Sequence, residues 1–230
     1  MDKVKYISII IIAIASVVVT ILVANVLLDT TGKVNQGNFR VSDVIVESSA
    51  TLKEVQDEEK KLEKLSDIAF DVSQTNTISI LIESNAEATE INIENIVITE
   101  PSLKGEMKIS QEGHDKFDVT PELTSLPIDL EEDDGKYVIT LLIDNNNVIT
   151  NQSVGEDVEK IQYDASIFNA LKVDVSQLKF NVSFDIVIKD TTGKTVKTNI
   201  NLNMPTDETF SNGMSILRQD VTNSIFSIVE

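Results

Sequence analysis

Apolar and polar residues alternate most regularly in the last quarter of the chain. Two alternating runs flank the polar segment Asp190–Lys194, whose Gly193 suits a tight turn. Side chains of a strand point to opposite faces in turn, so this pattern predicts a β-hairpin with one buried face. Its inward positions are Phe180, Val182, Phe184, Ile186 and Ile188 on one side, and Val196, Thr198, Ile200, Leu202 and Met204 on the other.

Shorter runs predict further strands. Ile78, Ile80 and Ile82 alternate before a turn at 84–86. In the next strand, Ile91 and Ile93 are out of phase with Ile96 and Ile98, so we expect a bulge near Glu94–Asn95 that turns both pairs inward. Tyr137, Ile139, Leu141 and Ile143 share a face after a tight turn at Asp134–Gly135. The remaining predicted strands are Phe39–Glu47, Glu106–Ile109 and Ile128–Leu130.

Two segments instead carry helical spacing. Leu52, Val55, Leu62 and Leu65 fall on one side of a charged stretch, which predicts an inserted helix over about 51–65. After Pro205, apolar residues recur every three or four positions, which predicts a C-terminal amphipathic helix over about 206–228. Those apolar residues are Phe210, Met214, Leu217, Val221, Ile225 and Ile228.

The N-terminal pattern is different, because residues 6–28 form a run of 23 positions without a charge. A helix of that length spans about 34 Å, enough to cross a bilayer. Lys3 and Lys5 precede the run, so we expect residues 1–5 in the cytoplasm and residues 39–230 outside it, joined by a tether at 29–38. A cleavable secretory signal and a prepilin-like stalk are the competing interpretations of this segment.

Together these elements predict a mainly β protein, in which a transmembrane signal anchor precedes an antiparallel β-sandwich. The stretch Thr77–Thr99 is similar to the second and third strands of Ig-like domains in prokaryotic envelope proteins. The resemblance covers about a tenth of the chain. It implies an Ig-like fold and carries no functional residue over.

Charge and composition limit the binding partners and the types of site that the protein can have. The formal net charge of −19 opposes binding to nucleic acid, whose phosphates are contacted by clustered Lys and Arg. The chain has no cysteine, which excludes disulfides, thiolate metal sites and cysteine nucleophiles. Its single histidine, His114, lies in a predicted exposed turn and excludes multi-histidine metal sites.

Two short motifs resemble nucleotide-binding or catalytic patterns but lack the structural features that those patterns require. Gly193-Lys194-Thr195 resembles the end of a phosphate-binding loop, but Ile188 occupies the place of the first glycine and a strand follows, so no nucleotide is expected. Ser176 and Lys179 match a serine–lysine pattern whose partner motifs are missing. We therefore predict a non-enzymatic protein without a cofactor.

Acidic side chains offer the one candidate metal site. Asp129, Glu131, Asp133 and Asp134, with Glu132 between them, precede Gly135, and Asp144 with residues 145–147 forms a second predicted oxygen-rich loop. Calcium prefers oxygen ligands, but the spacing does not fit an EF-hand. A solvated acidic turn is the main interpretation, and a weak calcium site is the alternative.

The functional hypothesis is a membrane-anchored envelope protein whose outer domain contacts another envelope protein. Such a role would belong to a surface, secretion or filament-associated assembly. The alternative is an anchored domain that binds or senses a small molecule or cation. A cell-wall hydrolase is disfavoured, because the chain has no Trp and only three Tyr to hold sugar rings.

Overall fold

A computed structural model of the protein describes residues 38–55, 64–99, 106–120, 123–130, 132–133, 135–160, 167–174, 178–204, 209, 214–221 and 224–229. The predicted tail, anchor and nearly all of the tether, residues 1–37, lie outside these ranges. Among the described residues, no helix is both long and apolar enough to cross a membrane.

The described residues form twelve strands and two short helical segments. The strands are β1 (Phe39–Val55), β2 (Ala69–Ser84), β3 (Ala88–Thr99), β4 (Glu106–Gln111), β5 (Phe117–Asp118), β6 (Ser125–Ile128), β7 (Glu132–Asp133), β8 (Lys136–Ser153), β9 (Asn181–Asp190), β10 (Thr195–Asn203), β11 (Met214–Arg218) and β12 (Ser227–Ile228). The helical segments are a 3₁₀ turn at Leu65–Asp67 and α1 (Ile167–Ala170).

These strands build two antiparallel sheets. Sheet A has the order β11-β1-β2-β8-β4-β5, with β7 also paired to β8. Sheet B has the order β12-β10-β9-β3-β6. Inward side chains of both sheets meet in one apolar cluster, the sandwich core, to which Val46, Ile80, Leu141, Phe184 and Ile200 belong. The mainly β, sandwich-like prediction is therefore confirmed.

Several local predictions are also confirmed. The β9–β10 hairpin pairs Thr195 with Lys189 and continues in register to Asn203 and Asn181. The register of β3 against β9 shifts between Glu94 and Val97, with Asn95 at a φ of 51°. Ile96 and Ile98 consequently pack against the same sandwich core as Ile91 and Ile93.

The inserted helix over 51–65 is wrong where the structure describes it. Thr51–Val55 continues β1, which extends past the predicted end at Glu47, and Val55 pairs with Ala69 of β2. Leu52 is buried as an inward strand residue, so long-range pairing overrides the local helix propensity. Residues 56–63 lie outside the described ranges, and Leu65 begins the 3₁₀ turn.

The C-terminal helix over 206–228 is likewise corrected. Met214–Arg218 is strand β11 at the edge of β1, and Ser227–Ile228 is strand β12 at the edge of β10. Pairing at a sheet edge satisfies backbone groups that would otherwise stay open. Leu217 and Ile228 are exposed, so the three- and four-residue spacing does not mark a buried helical face. Residues 206–208, 210–213 and 222–223 lie outside the described ranges.

The first, second and eighth strands are far longer than predicted. They contain 17, 16 and 18 residues, and 17 residues of strand span about 56 Å. Sheet A therefore continues beyond the sandwich core into a second apolar cluster, the end cluster. Its members are Ala50, Leu52, Phe70, Val72, Val148, Val154, Ile167, Phe168, Leu171 and Leu178.

Candidate functional site

The predicted acidic turn lies at the tip of the short β7–β8 hairpin. Asp133 pairs with Lys136, and Gly135 has the positive φ of 73° that the tight turn requires. A side chain at this glycine would also approach the Ser84 carbonyl oxygen to 2.9 Å. Glu131 and Asp134 lie outside the described residues, as do the side chains of Glu132 and Asp133.

Asp129, the first of the candidate calcium ligands, lines an open groove beside this hairpin. Its carboxylate lies 3.4 Å from Nε2 of His114, and both side chains are exposed. The Gln111 side chain fixes the backbone of Asp129, donating to its carbonyl oxygen over 3.1 Å and accepting from its N–H over 2.8 Å. The groove is lined by Gln111, Glu112, His114, Asp129, Leu130, Val138 and Thr140.

In this groove the exposed Asp129 carboxylate lies beside the His114 imidazole, and Glu112 is a second acidic residue of the lining. Within the described ranges, no three metal-ligating side chains converge. The calcium site at Asp129, Glu131, Asp133 and Asp134 therefore stays a prediction. His114 lies in a turn and is exposed, as the sequence predicted.

The second predicted oxygen-rich loop, at Asp144 and residues 145–147, is wrong, because these residues lie inside β8. Asp144 is buried and accepts a hydrogen bond from the Thr75 hydroxyl over 2.8 Å. It also forms an ion pair with Lys116. Its carboxylate is thus already neutralised, which leaves it poorly placed to bind a cation.

A polar band crosses the inner face of sheet A and was not predicted. We define it as Ser48, Gln74, Asn76 and Asn145, all at most 1% exposed. The sequence did carry a signal for this band. Counted back from Ile78 in steps of two, the inward positions of β2 are Asn76 and Gln74, where the alternation would otherwise continue with apolar residues.

Each sheet also buries a carboxylate on its outer face. On sheet B, burial raises the pKa of Asp185, but hydrogen bonds from Asn199 at 2.9 Å, Asn95 at 2.8 Å and the Lys197 ammonium outweigh it and lower the pKa overall. On sheet A, burial raises the pKa of the Glu47 carboxyl. Its Oε2 has no hydrogen-bond partner among the described residues.

Three exposed apolar side chains lie close together in sequence at the C-terminal edge of sheet B. Strand β12 pairs through only two residues, opposite Val196 and Lys197 of β10. Ile225, Ile228 and Val229 are 76%, 62% and 44% exposed. Phe226 between them packs on Phe39, with ring centroids 6.2 Å apart, so this edge is fixed to the start of β1.

The motifs rejected from sequence have ordinary structural roles. Gly193 and Lys194 belong to the β9–β10 turn, where Oδ1 of Asp190 accepts hydrogen bonds from the backbone N–H groups of Thr192 and Lys194. The following residues form β10, not the helix that a phosphate-binding loop needs. Ser176 lies outside the described residues.

Comparison with known proteins adds no relative. No protein-family model matches the chain, and neither a curated protein nor a solved structure matches it.

Proposed function

We propose that the protein is a non-enzymatic, membrane-anchored envelope protein that binds another envelope protein through the C-terminal edge of sheet B. The proposal includes a transmembrane segment at 6–28, a cytoplasmic N-terminus and an Ig-like sandwich outside the cytoplasm. The partner would make it a subunit of a surface, secretion or filament-associated assembly.

The observation that carries this proposal is the exposure of Ile225, Ile228 and Val229 beside a two-residue edge strand. Scattered single apolar residues are normal on protein surfaces, whereas neighbouring ones favour an interaction site. A short edge strand also allows a partner to extend the sheet by backbone hydrogen bonds. The net charge of −19 favours a partner with a basic rim around its apolar contact.

The proposed binding surface is tested by affinity capture of the full-length protein from gently solubilised membranes. Wild type is compared with the double variant Ile225→Ser/Ile228→Ser. Val97→Ser is the matched control, because Val97 is 51% exposed on the same sheet but on strand β3. We expect one stoichiometric protein with wild type and the control, and its loss from the double variant. Equal capture by all three proteins would contradict the proposal.

The proposed anchor needs its own measurement. Protease added to intact cells or spheroplasts should digest the outer domain and leave a membrane-bound N-terminal fragment. Full protection of the domain, or a mature protein that begins near Asn25, would overturn this topology.

A second candidate function is an anchored domain that binds a cation or small molecule. The groove at His114 and Asp129 favours it, because the Gln111 amide fixes the Asp129 backbone beside an open surface. Calcium titration of the full-length protein would promote this candidate if a specific response disappeared in Asp129→Asn and no protein partner was captured.

A further inference from the structure

The polar band occupies a position where the core would otherwise be continuous. Ser48 pairs with Asn76, which is opposite Ile143, and the next row contains Ala50, Gln74 and Asn145. The first row borders the sandwich core, which includes Ile143, and the second borders the end cluster, which includes Ala50. Four buried polar side chains therefore separate two apolar clusters along the same three strands.

One half of the band satisfies its own hydrogen bonds. Oδ1 of Asn76 accepts from the Ser48 hydroxyl and from Nε2 of Gln74, the latter over 3.1 Å. Nδ2 of Asn76 donates to the Ile143 carbonyl oxygen over 3.4 Å. These contacts fix Asn76 and orient the Gln74 amide.

The other half does not. Oε1 of Gln74 and both Oδ1 and Nδ2 of Asn145 have no hydrogen-bond partner within the part of the chain that the structure describes. Gln74 and Asn145 lie directly opposite each other in the β2–β8 pair, at 1% and 0% exposure. Buried amides are rarely unpaired, because desolvation is costly when no hydrogen bond replaces water. Three unpaired atoms on two adjacent buried amides therefore indicate a small bound molecule.

We propose that Gln74 and Asn145 form an internal hydration site that holds ordered water between the sandwich core and the end cluster. The unpaired atoms are two acceptors and one NH₂ donor, and water can both donate to the oxygens and accept from the amide. Internal waters commonly make about three such bonds.

A charged guest fits this site less well. The unpaired groups are neutral amides, and the neighbouring carboxylate of Asp144 is already engaged by Lys116 and Thr75. Successive residues of a strand face opposite sides, so Asp144 points away from the face that carries Asn145. A small neutral molecule with hydrogen-bond donors and acceptors fits the site better. Water is such a molecule and is always present at high concentration.

The hydration site is tested directly on wild-type full-length protein in lipid nanodiscs. The probe is water itself, detected through NOEs to the ¹⁵N-labelled side-chain amide of Asn145, whose signal is assigned in wild type through the Asn145 backbone resonances. We expect an NOE with the sign of a long-lived water contact. The exposed Asn201 amide is the control and should show only short-lived hydration. Absence of a water NOE at Asn145, or the short-lived sign, would overturn the proposal.

A double-mutant cycle tests whether the two amides share one site. Gln74→Leu and Asn145→Leu should each lower the melting temperature, because each strands the remaining amide. The double variant should melt above both single variants, since replacing both polar groups removes the need for water. Additive losses would contradict a shared site. If the single variants do not fold, the wild-type NOE still decides the proposal.

Discussion

The sandwich core and the end cluster are built on the same three strands but are covered differently. Both sheets contribute to the sandwich core, so its side chains are enclosed between two regular layers. The end cluster is covered by α1 and the irregular chain around it, through Ile167, Phe168, Leu171 and Leu178. A regular second sheet covers the sandwich core, whereas irregular chain covers the end cluster. We therefore expect the two regions to differ in local stability.

The largest effect is expected from a charge in the sandwich core. Ile186 is fully buried, so Ile186→Asp places an unpaired charge between the sheets, at a cost of several kcal/mol against a typical stability of about 5–15 kcal/mol. Thermal unfolding should show loss of the folded domain. Asn201→Asp on an exposed position of β10 is the control and should melt like wild type. Unchanged melting of Ile186→Asp would show that the inward face is wrongly assigned.

The same substitution in each cluster compares the two regions directly. Leu141 of the sandwich core and Leu171 of the end cluster are both fully buried. Leu→Ala at buried sites costs about 2–5 kcal/mol, less where the surroundings can collapse into the space. We expect Leu141→Ala at the upper end and Leu171→Ala at the lower.

Hydrogen exchange supplies the readout for this comparison. Leu171→Ala should speed exchange of the amides of Val72 and Val148 while Ile80 remains protected. Equal acceleration in both regions would mean that the two clusters unfold as one unit.

The contrast between the sandwich core and the end cluster explains which elements could be predicted from the sequence. Ile78, Ile80 and Ile82 lie on a strand with a paired strand on each side and a regular sheet opposite. Side chains along this strand therefore alternate between the core and the outer face, and the period of two is visible in the sequence. The same explanation covers the β9–β10 hairpin and the bulge after Glu94. The part of the end cluster that covers the sheet has no such period, because Ile167, Phe168 and Leu171 come from a short helix and the irregular chain after it.

The wrong helices have a related cause. Thr51–Val55 and Met214–Arg218 are held by pairing with residues far away in the chain, and local spacing does not report such contacts. The polar band was missed because Gln74 and Asn76 resemble ordinary outward strand residues by type. Their inward direction follows from their spacing before Ile78 only if β2 begins well before that residue, as it does in the structure.

A smaller effect distinguishes the outer faces of the two sheets by pH. The pKa of Asp185 is lowered by its donors, so its charged form stabilises the fold above the unfolded value of 3.8, and this contribution is lost as pH falls through the lowered pKa. The pKa of Glu47 is raised by burial, so stability is lost as pH rises from 4.5 through the raised value.

The two neutral variants should therefore shift melting in opposite directions at pH 7. Asp185→Asn should lower the melting temperature and Glu47→Gln should raise it. Both differences should shrink as pH falls, below 3.8 for Asp185 and towards 4.5 for Glu47. Shifts of the same sign at pH 7 would contradict the contrast between the two carboxylates.

The smallest effect is expected at the acidic turn before Gly135. Crowded carboxylates repel each other, and salt screens them within about 10 Å at 0.1 M. Sodium chloride and calcium at matched ionic strength should therefore raise the melting temperature about equally. A calcium-specific rise that Asp133→Asn/Asp134→Asn removes would instead support the predicted cation site and the second candidate function.

The proposed interface at the C-terminal edge is tested most directly by crosslinking in intact membranes. The chain has no cysteine, so a single introduced thiol can carry a photoreactive group at one position. Full-length Ile228→Cys should crosslink to one envelope protein, while Val97→Cys on the same sheet should give little or no such product. Equal products from both positions, or crosslinks from position 228 to lipid alone, would contradict a protein-binding edge.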